Sequence, residues 1–476
     1  MKNPEIEGKR KSKFQYYLTL TEEKTMTDTE MKKVLILGAG MVAKPLVDYL
    51  LNNHIEITIA SRTLAKAEKL IGERKNGTAV SWTVEESEKL DNMVSTHDLT
   101  VSLLPYTHHV TVAKTCIRHR KNMLTTSYVS EEMKSLNGEA QKAGILILNE
   151  IGVDPGFDHM TAMRIIDKVQ EQGGKIREFY SLCGALAAPE EADNPFRYKF
   201  SWSPRGVIMA GNNGARFLKD GKVVEIPSEN LFKAPMLVDF QGVEEMEVYP
   251  NRDSLAYIDT YHLQGIETMY RGTFRYKNWC EIMDVLKTLG MTDYKPKDFE
   301  GKTYRKVIAR RLQVYPANIK EKVAERLQTG IDSPAIVALE WLGLFSDDLV
   351  RITKGSNFDL LSDLMLEKMM LPEGARDMVI MLHSFLVEKA DGTKEVIKSH
   401  LLDFANGEDT SIARTVALPA AIAVKLILDG KITDTGVQIP IPKSIYEPVL
   451  NELETLGIAM KEEWGLPESE KIDERN

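Results

Sequence analysis

The sequence has few cysteines, no long uncharged apolar run and a deficit of basic charge. Its three cysteines lie far apart without the spacing of metal ligands, which predicts a reduced, cytoplasmic protein with no metal site. Because no stretch of about eighteen uncharged apolar residues occurs, we predict no membrane span. A formal net charge of −9 argues against nucleic acid as the main partner, but it still permits a local basic pocket.

The composition and length are those of a soluble protein with several domains. Hydrophobic residues make up 43% and charged residues 28% of the chain, which is the balance of globular proteins. A length of 476 residues predicts two or three domains. Residues 1–30 are polar and lack the apolar segment of a secretory signal. We interpret them as a disordered tail or as translation from an upstream start, and expect no contribution to catalysis.

Strands alternate with helices through residues 31–150. Buried apolar runs are separated by segments with helical spacing. The strand-like runs are "KVLILGAG", "EITIAS", "LTVSLLP", "NMLTTS" and "ILILNE". This alternation is typical of βαβ units, so we predict an α/β fold whose first domain is a doubly wound parallel sheet of the Rossmann type.

The pattern changes after residue 150. Strand-like segments and two hairpins, turning at Asp220-Gly221 and Asp391-Gly392, predict an α+β second domain. Most of the chain between these hairpins has helical spacing, which predicts an all-helical insertion. We therefore divide the chain into a first domain (31–150), a second domain in two parts (151–277 and 374–409), the insertion (278–373) and C-terminal helices that pack back on the first domain (410–476).

A glycine-rich turn follows the first strand. The pattern G-x-G-x-x-A is formed by Gly38, Ala39, Gly40, Met41, Val42 and Ala43. The first glycine permits a tight turn, the second lets a pyrophosphate approach the backbone, and the small alanine lets the next helix pack closely. Because the turn joins a strand to a helix in the first βαβ unit, it predicts a dinucleotide site at the helix N-terminus.

The end of the second strand indicates which dinucleotide is bound. NAD-binding proteins place an acidic residue here for the ribose hydroxyls, whereas this chain reads Ser61, Arg62 and Thr63. Arg62 can pair with a 2′-phosphate, the two hydroxyls can add hydrogen bonds, and Lys66 lies one turn further on. We predict NADP(H), with NAD less favoured. The alternative is that Arg62 is a solvated residue at the start of a helix.

A later strand end carries further candidates. Pro105 ends the strand, and Tyr106 is placed to orient a carboxylate or to donate a proton; the alternative is a packing role at the domain seam. His108 and His109 open the next helix, and we interpret them as helix-start residues.

The stretch "NEIGVDPGFDHM" is dense in ionisable residues. Glu150, Asp154, Asp158 and His159 surround a Pro-Gly turn. Such a group either binds a metal or moves protons, or it simply begins a helix after Pro155 with Asp158 as the cap. We favour the structural interpretation.

Loop cations beside aromatic residues are good anchors for carboxylates. Two stretches have this character, "NPFRYKFSWSPRGVIMAG" and "VYPNRDS". Their candidate residues are Arg197, Lys199, Trp202, Arg205 and Arg252.

Several of these segments resemble one known family. The chain is similar to saccharopine reductase, the glutamate-forming saccharopine dehydrogenase, from Lys32 to about Ile458. The motifs that carry the resemblance are "LILGAGMVAKPL", "SLLPYTHHVTVAK", "TTSYVS", "NEIGVDPGFDHM", "CGALAAPEEADNPFRYKFSWSPRGV", "YPNRDS", "RGTFRY", "ARTVALPAAIAVKLILDGKI" and "GVQIPIPKSIYEPVLNEL". Their shared order makes the resemblance far more specific than the glycine turn alone.

The resemblance implies an oxidoreductase that acts on CH–NH bonds in lysine metabolism. Glutamate and 2-aminoadipate 6-semialdehyde would condense to an imine, which hydride from NADPH would reduce reversibly to saccharopine. This small-molecule substrate carries three carboxylates, so an acidic enzyme needs local cations, and Arg205 and Arg252 are the candidates. The resemblance also implies a Rossmann domain, a substrate domain and a helical insertion. The direction of the reaction and a homodimer stay open.

The resemblance also implies site residues. For the nucleotide they are Gly38, Ala39, Gly40, Met41, Val42, Ser61, Arg62, Thr63, Leu103, Leu104, Thr126, Ser127 and a turn at Cys183 and Gly184. For the substrate they are Pro105, Tyr106, Asn251, Arg252, Asp253 and Ser254, with Arg205 added for its charge and Tyr106 as the candidate catalytic residue. Two positions depart from the family: Ala185 replaces a common glycine, and Ser81-Trp82-Thr83 lacks a common acidic residue.

Two other functions fit parts of the sequence. An enzyme such as carboxynorspermidine dehydrogenase would join aspartate semialdehyde to a diamine, but a diamine pocket should be acidic, whereas "SWSPRG" and "YPNRDS" supply cations. A nucleotide-sensing scaffold would bind the dinucleotide without catalysis. Turnover of a substrate distinguishes it from an enzyme.

Overall fold

The computed structural model describes residues 31–472, and the predicted tail at residues 1–30 lies outside them. The strands are β1 (Lys33–Leu37), β2 (Glu56–Ser61), β3 (Gly77–Ser81), β4 (Leu99–Ser102), β5 (Asn122–Leu124), β6 (Leu146–Leu148), β7 (Lys175–Ala187), β8 (Ala215–Lys219), β9 (Lys222–Ile226), β10 (Met236–Asp239), β11 (Glu245–Pro250), β12 (Thr268–Arg275), β13 (Lys297–Asp298), β14 (Lys354–Gly355), β15 (Asp377–Glu388), β16 (Lys394–Phe404), β17 (Gly436–Gln438) and β18 (Lys461–Leu466).

Helices connect and cover these strands. They are α1 (Lys44–Asn52), α2 (Leu64–Ile71), α3 (Ser87–Thr96), α4 (His109–His119), α5 (Glu131–Ser135), α6 (Asn137–Ala143), α7 (Phe157–Glu171), α8 (Pro204–Ala210), α9 (Ala256–Thr260), α10 (Trp279–Thr288), α11 (Tyr304–Leu312), α12 (Ile319–Leu327), α13 (Pro334–Leu342), α14 (Asn357–Lys368), α15 (Ser411–Leu428) and α16 (Lys443–Thr455).

The first sheet is parallel, with the strand order β17-β6-β5-β4-β1-β2-β3. Val34 and Ile36 of β1 point into one hydrophobic core, whereas Leu35 and Leu37 point into another. Burial on both faces explains why β1 reads as a continuous apolar run. Helices α1 and α15 contribute to the first core and α4 to the second. The predicted doubly wound Rossmann sheet is confirmed.

The second sheet is mixed, with the order β10-β11-β12-β7-β15-β16-β18, and the β8–β9 hairpin joins it through β12. Both predicted hairpins are confirmed. Asp220 and Gly221 have φ of 48° and 72° between β8 and β9, and Gly392 has φ of 83° between β15 and β16. The C-terminal segment adds β17 to the first sheet and β18 to the second. Neither strand was predicted from the sequence, since β17 has only three residues and β18 is half exposed.

The two faces of the second sheet meet different cores. Met269 of β12 and Phe179 and Met381 of the neighbouring strands join the core that the Rossmann helices share. Tyr270 and Phe274, on the opposite face of β12, join the core of the helical region. Because side chains alternate along a strand, Arg271, Thr273 and Arg275 share the face of Met269.

Helices α10 to α14 follow β12 and precede β15. The prediction that this region is helical is confirmed, apart from the two-residue strands β13 and β14. Where one domain ends and the next begins stays a prediction.

Helix α15 is capped by Thr410, whose side chain accepts a hydrogen bond from the Ala413 amide. By length and composition it could cross a membrane, but 72% of it is buried inside the protein. It includes two basic residues, Arg414 and Lys425, so it is not the uncharged run whose absence was noted above. The core helix of a soluble protein passes the same test, so α15 is weak evidence for a membrane.

Candidate active site

The glycine turn leaves room for a pyrophosphate. Gly38 has φ of 110°, and a Cβ there would lie 3.1 Å from the Leu103 carbonyl oxygen, so only glycine fits. A Cβ on Gly40 would meet nothing within 4 Å, which leaves its outer side open. No side chain caps the following helix α1. Its free amides therefore remain to bind an anionic group, and this turn fits a dinucleotide.

The end of β2 fits a phosphate on the adenosine ribose. Ser61 Oγ accepts a hydrogen bond from the Thr63 amide at 3.3 Å. Arg62 and Lys66 are exposed, and neither has an ion pair within the described part of the chain. At the neighbouring strand end, Trp82 is buried and donates from Nε1 to the Glu86 carbonyl at 3.2 Å. Because it has no ion pair within the described part of the chain, the Arg62 guanidinium is available to bind the 2′-phosphate of NADP(H).

His109 connects the ends of two strands of the first sheet by hydrogen bonds. Its Nδ1 lies 2.9 Å from Ser102 Oγ, and its Nε2 lies 2.9 Å from Ser127 Oγ and 3.1 Å from Thr125 Oγ1. The imidazole begins α4, as predicted, but it is buried as well. Burial, with the neighbouring His108 charge, lowers its pKa to about 4. The ring is therefore neutral at physiological pH and holds the loops after β4 and β5 in place.

We expect His109 to make stability depend on pH. Because its folded-state pKa of about 4 lies below the ordinary value of 6.5, its contribution is complete above pH 6.5 and is lost as the pH falls through 4. The loss should reach about 3 kcal/mol. Urea unfolding of His109→Asn between pH 7 and 4 should show a shallower decline than wild type, whereas the exposed control His54→Asn should follow wild type. Parallel curves for His109→Asn and wild type would contradict this role.

Tyr106 stands at the carboxyl edge of the first sheet. It begins a short 3-10 turn (Tyr106–His108) after Pro105 and is 66% exposed. The packing alternative therefore has no support within the described residues. A Cβ on Gly152 would lie 3.2 Å from Thr126 Cβ, so the loops after β5 and β6 are in close contact.

A buried charged group lies between the two sheets. Arg271 Nη2 on β12 donates to Asp154 Oδ1 at 2.6 Å and to Asp158 Oδ2 at 2.9 Å. Tyr128 also donates to Asp154 Oδ1, at 2.9 Å. Burial raises the pKa of the Asp154 carboxyl, although the Arg271 charge acts in the opposite direction. The result is a carboxyl group suited to exchanging a proton.

Three further side chains continue this group inward. His159 Nε2 lies 2.7 Å from Glu150 Oε2, and His159 Nδ1 lies 2.6 Å from the Tyr261 hydroxyl. We call Asp154, Asp158, Arg271, Glu150, His159 and Tyr261 the buried network. The prediction that Asp158 caps this helix is wrong, because α7 has Gly156 as its N-cap residue without a side-chain cap; Asp158 lies in the first turn, where its Oδ1 accepts from the Gly156 amide at 2.6 Å. Within residues 31–472 no group of three or more His, Cys, Asp or Glu residues is placed to hold a metal.

Arg275 is buried without an anionic partner. It is 3% exposed, and its Nη1 donates to the Phe274 carbonyl at 2.7 Å. Its guanidinium carbon lies 5.1, 5.7 and 5.3 Å from the ring centres of Tyr198, Tyr249 and Trp279. Its Nε has no hydrogen-bond partner, and no carboxylate lies within 4 Å of it among the described residues. An unpaired buried cation is costly, so this position is suited to a carboxylate ligand.

Sequence reasoning missed Arg271, Arg275 and Tyr128. The motif "RGTFRY" contained the available signal: two arginines separated by three residues in a strand lie on the same face. Thr273, between them, is paired in register with Cys183 of β7. Burial raises the pKa of the Cys183 thiol, against which the charges of Arg271 and Arg275 act. Arg271 and Arg275 therefore both act electrostatically on the Cys183 thiol.

The predicted turn at Cys183 and Gly184 is wrong. Both residues lie inside β7, where a Cβ on Gly184 would come within 2.8 Å of Phe274 Cβ. The glycine permits close approach of side chains from β12 rather than a change of direction. Ala185 also lies in the strand, so its departure from the family disturbs no turn.

The segment Asn251 to Ser254 is fixed to β12. The Asn251 amide donates to the Arg271 carbonyl at 2.8 Å, and Ser254 Oγ accepts from the Arg271 amide at 3.0 Å. Arg252 is exposed, has no ion pair among residues 31–472, and its guanidinium carbon lies 5.1 Å from the centre of the Tyr128 ring. Asp253 instead pairs with Arg216 at 3.2 Å. Arg252 is thus left uncommitted beside a residue of the first domain.

The other loop cations already have carboxylate partners. Arg205 Nη2 donates to Asp359 at 2.7 Å, and its guanidinium lies over the Phe358 ring. Arg197 pairs with Glu244, and Lys199 pairs with Asp193 and Glu191. Each would have to leave this partner to bind a substrate carboxylate. Their predicted substrate role therefore stays a prediction.

The comparisons with known proteins agree with this geometry. Residues 34–148 match the family model of the saccharopine dehydrogenase NADP binding domain, and residues 152–458 match that of the saccharopine dehydrogenase C-terminal domain. A solved apo structure of histidine-tagged saccharopine dehydrogenase (L-Glu forming) from Saccharomyces cerevisiae is similar, with a TM-score of 0.83 and 38% sequence identity, and 91% of this chain and 99% of that chain are covered.

Curated relatives extend over the same range. Saccharopine dehydrogenase [NADP(+), L-glutamate-forming] is 39% identical in Pyricularia oryzae, with 90% of this chain and 98% of the relative covered. The Saccharomyces cerevisiae enzyme of the same name is 40% identical, with 90% and 99% covered. The mitochondrial alpha-aminoadipic semialdehyde synthase of Bos taurus is 37% identical, and the match covers 95% of this chain but 50% of that protein. With both family models matched in order and the two fungal relatives aligned over nearly their full length, this chain belongs to the saccharopine dehydrogenase family.

Proposed function

We propose that this protein interconverts saccharopine with glutamate and 2-aminoadipate 6-semialdehyde, using NADP(H). The observation that carries the proposal is 39–40% identity over 98–99% of the length of two enzymes named for this activity. The geometry supports it, because the dinucleotide turn is open, and Arg252 and Arg275 have no ion pair with the described residues. A three-carboxylate substrate needs such cations.

The substrate carboxylates have two suitable anchors. Arg275 is buried and lacks an anionic partner within the described residues, which suits a carboxylate removed from water. Arg252 is exposed and has no ion pair among the described residues, which suits a substrate carboxylate that lies nearer to solvent. Asn251, Asp253 and Ser254 hold the Arg252 segment in place through backbone and ion-pair contacts.

The proton step is assigned to Asp154. When bound, NADP(H) supplies or accepts the hydride at the substrate carbon. In the oxidative direction, the protonated substrate nitrogen must lose a proton so that the neighbouring carbon can give up its hydride; water then adds to the carbon of the resulting imine and releases glutamate and the aldehyde. Asp154 has 16% of its side chain exposed, whereas Arg271 and Asp158 are 3% and 1% exposed. Of these three residues, Asp154 is therefore the one that can reach a substrate. Tyr106 is assigned as a positioning group.

We expect Arg62→Ala to reduce the preference for NADP. Losing a charge-assisted contact to the 2′-phosphate should cost about 1.5–3 kcal/mol, which is about 10- to 150-fold in kcat/KM for NADP(H). The kcat/KM for NAD should change little. Lys69→Ala, which removes an exposed cation later on the same helix, is the matched control. Equal nucleotide preference in wild type and Arg62→Ala would remove Arg62 from the cofactor site.

A diamine-condensing enzyme fits the site less well. Asp158 is bound by Arg271 and Glu150 by His159, and both acids are buried, so they are not free to bind a diamine. A cytoplasmic location is also part of the proposal, supported by three unpaired, buried cysteines. A homodimer stays a prediction.

A further inference from the structure

His159 is held at both ends by buried partners. Its Nε2 lies 2.7 Å from Glu150 Oε2, and its Nδ1 lies 2.6 Å from the Tyr261 hydroxyl. Both partners are themselves fixed or buried. Glu150 Oε1 accepts a hydrogen bond from the Val129 amide at 2.9 Å, and Tyr261 is 1% exposed. His159 itself is fully buried. The imidazole is therefore placed to hold a charge in position rather than to carry protons.

The charge of His159 is connected to Asp154 through two side chains. Its Nε2 lies 3.9 Å from Asp158 Oδ1. The other oxygen of Asp158 accepts from Arg271 Nη2 at 2.9 Å, and the same Nη2 donates to Asp154 at 2.6 Å. Asp154 is the most exposed of these residues, with 16% of its side chain exposed, whereas the side chains of His159 and Asp158 are 0% and 1% exposed.

We propose that His159 is a positioning residue that sets the protonation state of Asp154. The inference rests on the proposed function, in which Asp154 exchanges a proton with the substrate nitrogen. His159 touches neither substrate nor cofactor in this account. It acts by placing a positive charge behind Asp158, so that Arg271 can favour the ionised form of Asp154.

The groups around His159 support a protonated ring. Burial lowers the pKa of the imidazole, but the carboxylates of Asp158 and Glu150 outweigh that effect and the pKa is raised. Tyr257 stacks on the ring at 5.6 Å between centroids. The nearby His383 of β15 adds no competing charge, because burial lowers its pKa to about 3. The remaining charged groups that act on Asp154 are Arg271 and Asp158, with the Tyr128 hydroxyl bonded to it.

The test is the pH profile of kcat/KM for saccharopine oxidation. When a carboxylate acts as the base, kcat/KM declines at low pH, and this decline is centred on the pKa of that carboxyl in the free enzyme. In His159→Gln the positive charge is lost, so this decline should move to higher pH by about 0.5–1 unit. Tyr261→Phe, which removes only the hydroxyl that accepts from the ring, should move it in the same direction by less and guards against a folding defect. In Asp154→Asn the decline should disappear.

A purely structural role makes a different prediction. His97 is the matched control, since both its ring nitrogens are also bonded, to Met93 O and Thr58 Oγ1, at 2.6 and 2.8 Å. His97→Gln should lower the thermal midpoint without moving the pH profile. An unmoved profile in active His159→Gln and Tyr261→Phe enzymes overturns the inference and leaves the proposed function intact. Absence of saccharopine oxidation by the wild type overturns both.

Discussion

Arg275→Met should strongly reduce kcat/KM for saccharopine while leaving the unliganded protein at least as stable as wild type. Losing one buried charged contact should cost about 2–5 kcal/mol in kcat/KM, mostly through a higher KM for saccharopine. Stability should not fall, because the substitution removes a buried cation that has no carboxylate within 4 Å among residues 31–472 and replaces it with an apolar side chain. Steady-state kinetics and thermal unfolding of the same preparation measure both effects.

The control for Arg275→Met is Arg216→Met. Arg216 is half exposed and pairs with Asp253 and Glu225, so its loss should change stability by less than about 1 kcal/mol. A large fall in the stability of Arg275→Met with unchanged KM would show that Arg275 serves the fold. Arg252 or Arg205 would then be the next candidate for the carboxylate.

Arg271→Met should have the opposite effect on stability. Arg271 is also buried on β12, but it pairs with Asp154 and Asp158, and its removal would leave two carboxylates without their cation. Breaking a buried pair by removing one partner costs about 3–5 kcal/mol. The unfolding free energy of Arg271→Met at neutral pH should fall by that amount, measured by urea denaturation beside Arg216→Met.

The loss in Arg271→Met should shrink at low pH. Protonation of Asp154 removes one of the uncompensated charges, and the pKa of Asp154 is already raised by burial. The difference in unfolding free energy between wild type and Arg271→Met should therefore narrow as the pH falls through the range in which Asp154 protonates. A constant difference across that range would mean that the lost packing of the guanidinium, rather than its charge, is responsible.

The nucleotide side of the site could be predicted because its signals are local. The glycine pattern and the residues after β2 lie within a few positions of the strands that present them, and strand ends in a parallel sheet meet at one edge. The predicted positions of Gly38, Gly40 and Arg62 follow directly from this rule. Their contacts with a nucleotide stay predictions.

The substrate side could not be predicted in the same way because its partners are distant in sequence. Arg271 bonds to Asp154 and Asp158, which lie 117 and 113 residues earlier. The pairing depends on the register between β7 and β12, which a single sequence does not reveal. The misplaced turn at Gly184 has a related cause. In the sequence, a glycine that permits close packing against Phe274 cannot be distinguished from a glycine that permits a turn.

The most direct test of the proposed function is to mix purified wild-type protein with saccharopine and NADP⁺, with NAD⁺ in a parallel reaction, and to identify the products. We predict formation of NADPH with an equal amount of glutamate, at a kcat/KM well above that for NAD⁺. No nucleotide reduction with saccharopine, or reduction without release of glutamate, would contradict the account.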